Sequence, residues 1–385
     1  MTNVKVVVGA NWGDEGKGLI TDYFCHQATS KGENCIVVLS NGGAQRGHTV
    51  LTPEGLRHVF HHFGSGTFVG ADTYFCDKYI LNPMTFRKEY EELLELGCNP
   101  KVFAHYNCMW STPYDMMINQ MAEDSRGNAR HGSCGMGIWE TIVRYYSTQE
   151  PYSLTNFNNM PFLQKAAYLR AIKDVYAKMR LRELDITIPY EWEDIFSSTR
   201  LIDNFIDDVN FMCEHITWTD DSVLASYDNI VFENGQGLLL DQNNIAYGDN
   251  TTPSNTGIEN PHEIISKALP NADVEVCYVT RTYLTRHGAG RFDEECNKAD
   301  INPYMIDKTN VPNPYQGSMR YGKLDVDALC HRIINDFNQA KSNNYKMSLA
   351  FTHTNEFDIP AIKEEYLSSM AYIYTSDGET RNSVK

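Results

Sequence analysis

The chain has no apolar run approaching the roughly 18–20 residues that span a bilayer, so no membrane-crossing segment is expected. Its first residues, MTNVKVVV, are too few and too soon followed by Gly9 to read as a secretory signal. Ten cysteines are scattered, with no C-x-x-C pair anywhere. That spacing supports no zinc site, and without a signal it supports no disulfide framework. Free thiols in a reducing compartment are expected: the cytoplasm, or the cytoplasm of a host. Positive charge is scarce as well, with 33 Lys and Arg against 50 Asp and Glu and a formal net charge of -17. A surface of that sign excludes a general affinity for nucleic-acid backbone or anionic membrane. Local amide and Arg/Lys pockets still admit anionic small molecules. No repeat, low-complexity tract or linker divides the 385 residues, a length sufficient for a large core.

What is present has the texture of an α/β fold. Residues 4–8 form a short β-branched run stopped by Gly9, residues 35–39 a second one, and 229–233, 274–280 and 348–352 three more. Helical spacing runs over 18–28, over 86–96 with Gly97 as its stop, and over 116–124. From about 140 to 225 the chain carries aromatics and charges at helical spacing and no glycine at all. The expectation is one domain, residues 1–385, with a mainly parallel central sheet covered by helices on both faces. A mostly helical subdomain occupies about 140–225.

Two glycine-rich loops follow the first two strands. Residues 9–18 read GANWGDEGKG, between a strand and a helix. Glycines there let backbone amides point inward around phosphate, and the helix N-terminus adds positive potential. Gly13, Glu15, Gly16 and Gly18 are candidate nucleotide- and phosphate-binding residues, and Lys17 is the point charge for phosphate oxygens. The segment departs from the standard phosphate-binding loop. Asn11 takes the place of the first Gly, and Gly18 that of the magnesium-binding Ser or Thr. Instead an acid, Asp14, lies inside the loop, where it repels phosphate unless it binds a metal or removes a proton. Residues 41–49 read NGGAQRGHT, and His48 in that setting is a candidate catalytic group.

Together these segments resemble the adenylosuccinate synthetase family, whose signatures are W-G-D-E-G-K-G and, soon after, G-G-x-N-A-G-H-T. The first is matched in full by residues 12–18. The second is matched by Gly42, Gly43, Gly47, His48 and Thr49, with Gln45 where the family has Asn. In the same order, residues 62–66 (HFGSG) resemble H-x-x-P-S-G and residues 132–137 (GSCGMG) resemble G-T-T-G-R-G. Residues 232–237 (FENGQG) resemble F-E-G-A-Q-G, and residues 285–290 (TRHGAG) resemble T-R-V-G-A-G. Residues 372–381 resemble the family's terminal I-S-T-G-P-x-R-T. The resemblance implies a P-loop-NTPase-like ligase fold and a carbon–nitrogen ligase. Its ligands would be a purine mononucleotide, a nucleoside triphosphate, L-aspartate and Mg2+, and it would act as a homodimer. Asp14 would withdraw the purine N1 proton so that O6 attacks the donor's γ-phosphate, and His48 would stabilise the transferring group. Gln236 would contact the purine and Ser133 its 5′-phosphate, which Arg144 would reach across a dimer interface. Asp14 and Gly47 would hold the metal.

Three departures bear on the substrates. The family's arginine run, T-T-G-R-R-R-R-T-G-W-L-D, corresponds to residues 316–325, QGSMRYGKLD, where Arg320 alone survives. A dicarboxylate needs cationic partners, and Arg320 with Arg286 are the candidates. Where GTP-using members carry T-K-L-D, this chain reads THTN over 352–355, and Asn355 can donate to adenine N1 as an ionised Asp cannot. The chain is also short after Asn355, as in archaeal and phage-like members. Three readings remain open: a ligase acting on IMP with GTP or ATP, one acting on dGMP with ATP or dATP, and a nucleotide-binding regulator without ligation.

Overall fold

The computed structural model describes residues 2–150, 152–305, 317–340, 342 and 344–385. Nine parallel strands form its central sheet: β1 (Asn3–Gly9), β2 (Cys35–Leu39), β3 (Asp72–Phe75), β4 (Val102–His105), β5 (Ile216–Thr219), β6 (Asn229–Gly237), β7 (Asp273–Arg281), β8 (Tyr345–Thr352) and β9 (Tyr372–Thr375). Their spatial order is β9-β8-β7-β1-β6-β2-β3-β4-β5. β1 lies inside the sheet, next to the central β6, with Val6 beside Phe232 of β6 and Val276 of β7.

The central strands are unbroken apolar runs because both faces of the sheet are covered. Val4, Val6 and Val8 point into one apolar cluster, while Val7 points into the other. On the Val7 side lie α1 (Lys17–Thr29), α2 (Pro83–Glu95), α3 (Pro113–Arg126) and the helices that follow. The opposite cluster includes Ile264 and Ile265 of helix Glu259–Ala268, and Leu329 and Ile333 of helix Val326–Phe337. α2 starts on Asn82, whose side chain accepts the Thr85 N–H, and α3 on a reciprocal Thr112–Asp115 box.

Helices occupy most of 138–215, beginning with α4 (Ile138–Thr148) and ending with Thr199–His215. The next residues are β5, followed by a short 3-10 helix, Asp221–Ser226. β5 is a four-residue edge strand with a single buried position. Such a length offers too little alternation to be seen in a sequence. β3, β4 and β9 are equally short. The apolar cluster is continuous from the sheet into these helices: Leu154, Phe157, Ala166 and Leu169 belong with Val37 and Phe75.

Because the sheet strands are all parallel, the loops after β1, β2, β6, β7 and β8 leave from one edge. That is where ligands bind in open α/β sheets.

Candidate active site

A cavity of about 1250 Å³ opens at this edge, larger than the roughly 300–1,000 Å³ of single-ligand pockets. Its wall includes Gly13, Asp14, Glu15, Gly16, Lys17, Gly18, Gly47, His48, Ser133, Gln236, Arg286 and Asn355. Residues far apart in sequence are thereby brought together.

α1 begins at the floor of this cavity without a side-chain cap and with no acid in its first turn. Its first N–H groups therefore lack the side-chain acceptors that α2 and α3 possess, which suits an anion. Gly16 has φ 87°, and a Cβ there would come within 2.9 Å of Thr352 Cγ2, so glycine is required twice over. Thr352 Oγ1 donates to Glu15 O at 2.9 Å, tying the loop to β8. Arg332 Nη1 donates to Ala10 O at 3.0 Å and Asn11 Oδ1 at 2.5 Å from behind. Glu15 does not offer its side chain to a ligand. It is buried, one oxygen accepts the Asn11 N–H, and Lys17 Nζ lies 3.7 Å from the other. Burial raises its pKa, with Lys17 and Asn11 opposing.

Asp14 is different. It adopts left-handed backbone, φ 57°, and His287 Nε2 lies 3.2 Å from its Oδ2. Arg281 Nε donates to its carbonyl at 2.5 Å. Burial works against its ionised form, but the bond and charge of His287, with Arg281 and Lys17, outweigh it and hold the pKa below the usual value. The result is a carboxylate ionised at neutral pH in the cavity wall.

His48 opens a short strand, His48–Leu51, paired with Arg57–Phe60, rather than lying within the loop as expected. Its Nδ1 is 2.7 Å from Glu233 Oε1, and its Nε2 is 3.2 Å from the Gly235 carbonyl. Glu233, midway along β6, is fully enclosed. It accepts from Arg46 Nη2 at 3.0 Å, from Ser65 N at 3.1 Å and from the Ser65 hydroxyl. Burial alone would raise the Glu233 pKa, but Arg46 and His48 carry it far below the carboxylate range. His48 is pushed down to about 4, chiefly by burial and with Arg46 adding to it, against the pull of Glu233. Glu233, Arg46, Ser65 and His287 form part of this site, though none stands out in the sequence by itself. The visible signal was their place inside the F-E-N-G-Q-G, G-G-A-Q-R-G-H-T, H-F-G-S-G and T-R-H-G-A-G segments.

Gln236 continues β6, and its Oε1 is 3.5 Å from Asn41 Nδ2 in the loop after β2. Ser133 lies in a loop folded over the buried Glu123, and its Oγ donates to Asn119 Oδ1 at 2.9 Å. Gly47, with no side chain, can offer a ligand its backbone alone.

Two expected residues lie elsewhere. Arg144 is fully buried within its own chain, 3.0 Å from Asp115 Oδ1, bonded to Glu150 and donating to Trp110 O at 2.7 Å. So enclosed and paired, Arg144 does not line the cavity of its own chain. Arg320 does not line the cavity. It forks onto Glu295 at 2.8 and 2.6 Å and donates to Gly290 O at 2.9 Å. Arg286 lines the cavity with its guanidinium 3.8 Å from the centre of the Trp12 ring, and it donates to Ala289 O at 2.8 Å. Gln316 falls outside the described residues.

Comparison with known proteins agrees with these motifs. The profile of the family described as adenylosuccinate synthetase matches residues 6–340. The adenylosuccinate synthetase of Shewanella loihica is 30% identical over 334 residues, 84% of this chain and 72% of that protein. That of Microcystis aeruginosa is 28% identical over 322 residues, 80% of this chain and 65% of that protein. The chain thus spans about two thirds of the length of these curated relatives. Among solved structures, the fold is similar to fully ligated adenylosuccinate synthetase from Plasmodium falciparum, with TM-score 0.69, 17% identity and 99% of each chain covered. It is also similar to cyanophage S-2L succinoaminodeoxyadenylate synthetase bound to dGMP and dATP, with TM-score 0.64, 15% identity, and 100% and 95% covered. At those identities the likeness is one of fold.

Proposed function

We propose that this chain, which belongs to the adenylosuccinate synthetase family, joins L-aspartate to carbon 6 of IMP at the expense of a nucleoside triphosphate. The observation that carries this reading is the Asp14 carboxylate in a phosphate-type loop, sharing one cavity with Lys17 and His48. Asp14 takes the N1 proton, placing negative charge on O6. O6 bonds to the γ-phosphorus as the bond to the β-phosphate oxygen breaks. The aspartate amine then bonds to C6, loses a proton, and phosphate departs with O6. Lys17 and the α1 N-terminus hold the donor's phosphates. His48 donates to the transferring oxygens from Nε2; an anion there favours the protonated ring, which Glu233 already supports through Nδ1.

Mg2+ fits the residues present. It is held in phosphate sites by one or two carboxylates plus phosphate oxygens rather than by an all-protein cage. Asp14 supplies such a carboxylate, Gly47 a backbone group, and no larger cluster of metal-binding side chains occurs among the described residues. When bound, the ion would neutralise charge on the donor phosphates. Arg286 is the cavity cation for the amino acid's carboxylates, and Asn355 the polar group for the donor's base. A homodimer in the cytoplasm is part of the same proposal, from the family resemblance. No described helix is long and apolar enough to cross a membrane.

The test is direct: purified protein with aspartate, Mg2+, and IMP or dGMP, each paired with GTP, ATP or dATP, followed by mass spectrometry of products. Succinylated IMP with equimolar phosphate is expected. Product from dGMP alone would replace IMP as the acceptor, and no phosphate release with any pair would remove ligation altogether.

A further inference from the structure

Residues 285–290 read TRHGAG, with a histidine where the family signature T-R-V-G-A-G has valine. Valine makes no hydrogen bond, whereas His287 Nε2 lies 3.2 Å from Asp14 Oδ2. At that distance Nε2, in the tautomer that carries its hydrogen there, donates to the carboxylate oxygen. The two side chains are 21% and 24% exposed, in the wall of the main cavity. The backbone around the pair is fixed on both sides. Thr285 Oγ1 donates to Gly13 O at 3.1 Å and Arg281 Nε to Asp14 O at 2.5 Å. Beyond His287, Gly288 packs so tightly on Gly132 that a Cβ on Gly132 would sit 2.6 Å from Gly288 Cα. The contact therefore joins two braced segments. Asp14 itself lies on left-handed backbone, φ 57°, which Asp enters more readily than most residues.

We propose that His287 is a positioning residue for Asp14, its hydrogen bond fixing the rotation of the carboxylate that faces the purine. The inference rests on the reading of Asp14 as the group that withdraws the N1 proton. A base already oriented loses less freedom on reaching the transition state, and misplacement by about 1 Å costs on the order of 100-fold in rate. Glutamine at 287 keeps an N–H donor at about the reach of Nε2, and valine restores the family's residue while removing the bond.

Wild type, His287→Val and His287→Gln are compared by steady-state kinetics with IMP, aspartate, triphosphate and Mg2+, with thermal melts to confirm folding. His287→Val is expected to lower kcat about 10- to 100-fold with the KM for IMP changed less than about threefold, and His287→Gln to recover most of the loss. A His287→Val enzyme with wild-type kcat overturns the proposal, as does a glutamine variant as slow as the valine variant. Crystal structures of wild type and His287→Val supply a readout independent of turnover. The Asp14 carboxylate is expected to rotate or split in the variant, and an unchanged carboxylate overturns the proposal. Absence of product from wild type itself would instead overturn the function on which the inference rests, and the structural comparison would still decide the role of His287.

Discussion

Asp14 occupies backbone that costs an ordinary L-residue about 1–2 kcal/mol, though Asp and Asn enter it more readily than most. Asp14→Asn keeps both the local conformation and an oxygen for His287, while losing the capacity to accept a proton. Turnover is expected to fall by about 10²–10⁴ with nucleotide affinity held within a few-fold, measured by kinetics and calorimetry side by side. Near-normal kcat would remove Asp14 from its role. The acid was legible in the sequence because a carboxylate among phosphate-cradling glycines is chemically odd. Glu233 was not, since an acid at the end of an apolar strand carries no local sign of the four donors that meet it. Arg46 and His48 both depend on it, so Glu233→Gln leaves a buried guanidinium without its counter-charge. Stability is expected to drop by about 3–5 kcal/mol, read from urea unfolding, with kcat falling beyond what the lost stability explains. A variant as stable as wild type would mean that Arg46 finds another partner.

At the scale of elements, strands of five or more apolar residues and the well-capped helices were readable, while four-residue strands and the fate of arginines were not. Arg144 and Arg320, both paired with carboxylates here, show why: a cation in a motif-like segment looks the same in sequence whether it faces a ligand or a neighbouring carboxylate. One such pairing has a measurable pH signature. Arg381, near the C-terminus, reaches α1 and lies 3.1 Å from Asp22 Oδ2, both residues buried. Burial pushes the Asp22 carboxyl up to about 6, against the pull of Arg381. The folded chain then binds this proton more tightly than the unfolded chain, whose Asp titrates near 3.9. Stability from Asp22 is therefore full at low pH and declines as pH rises from about 4 to about 6, by about 3 kcal/mol in all. Asp22→Asn keeps an oxygen for Arg381 and should lose this slope, so the variant gains on wild type across that window in urea unfolding. Parallel pH profiles for the two proteins would show that Asp22 stays ionised throughout.

The whole molecule sets an acidic chain, formal net charge -17, around a cavity to which Lys17, Arg281 and Arg286 contribute positive charge. The wall also carries acids, Asp14, Glu15, Glu123, Glu140, Glu356 and Glu379 among them, so charge there is set residue by residue at one sheet edge, where loops from five strands approach each other only in the folded state. A ligand touching several of these loops binds the native state and not the unfolded chain, so it must stabilise by about 2.7 kcal/mol at one hundred times its Kd. The cavity is large enough for more than one ligand. IMP and a non-hydrolysable triphosphate are therefore each expected to raise the melting temperature alone, and to raise it further together. If saturating triphosphate abolishes the shift given by IMP, the two compete for one place, and attack of a purine oxygen on the γ-phosphate within this cavity is untenable. If the joint shift exceeds the sum of the separate ones, each nucleotide orders wall segments that the other needs. The contacts that carry such coupling are already present: Thr352 of β8 on Glu15, Gly16 beneath Thr352, and Asn41 on β6 through the Gly235 N–H.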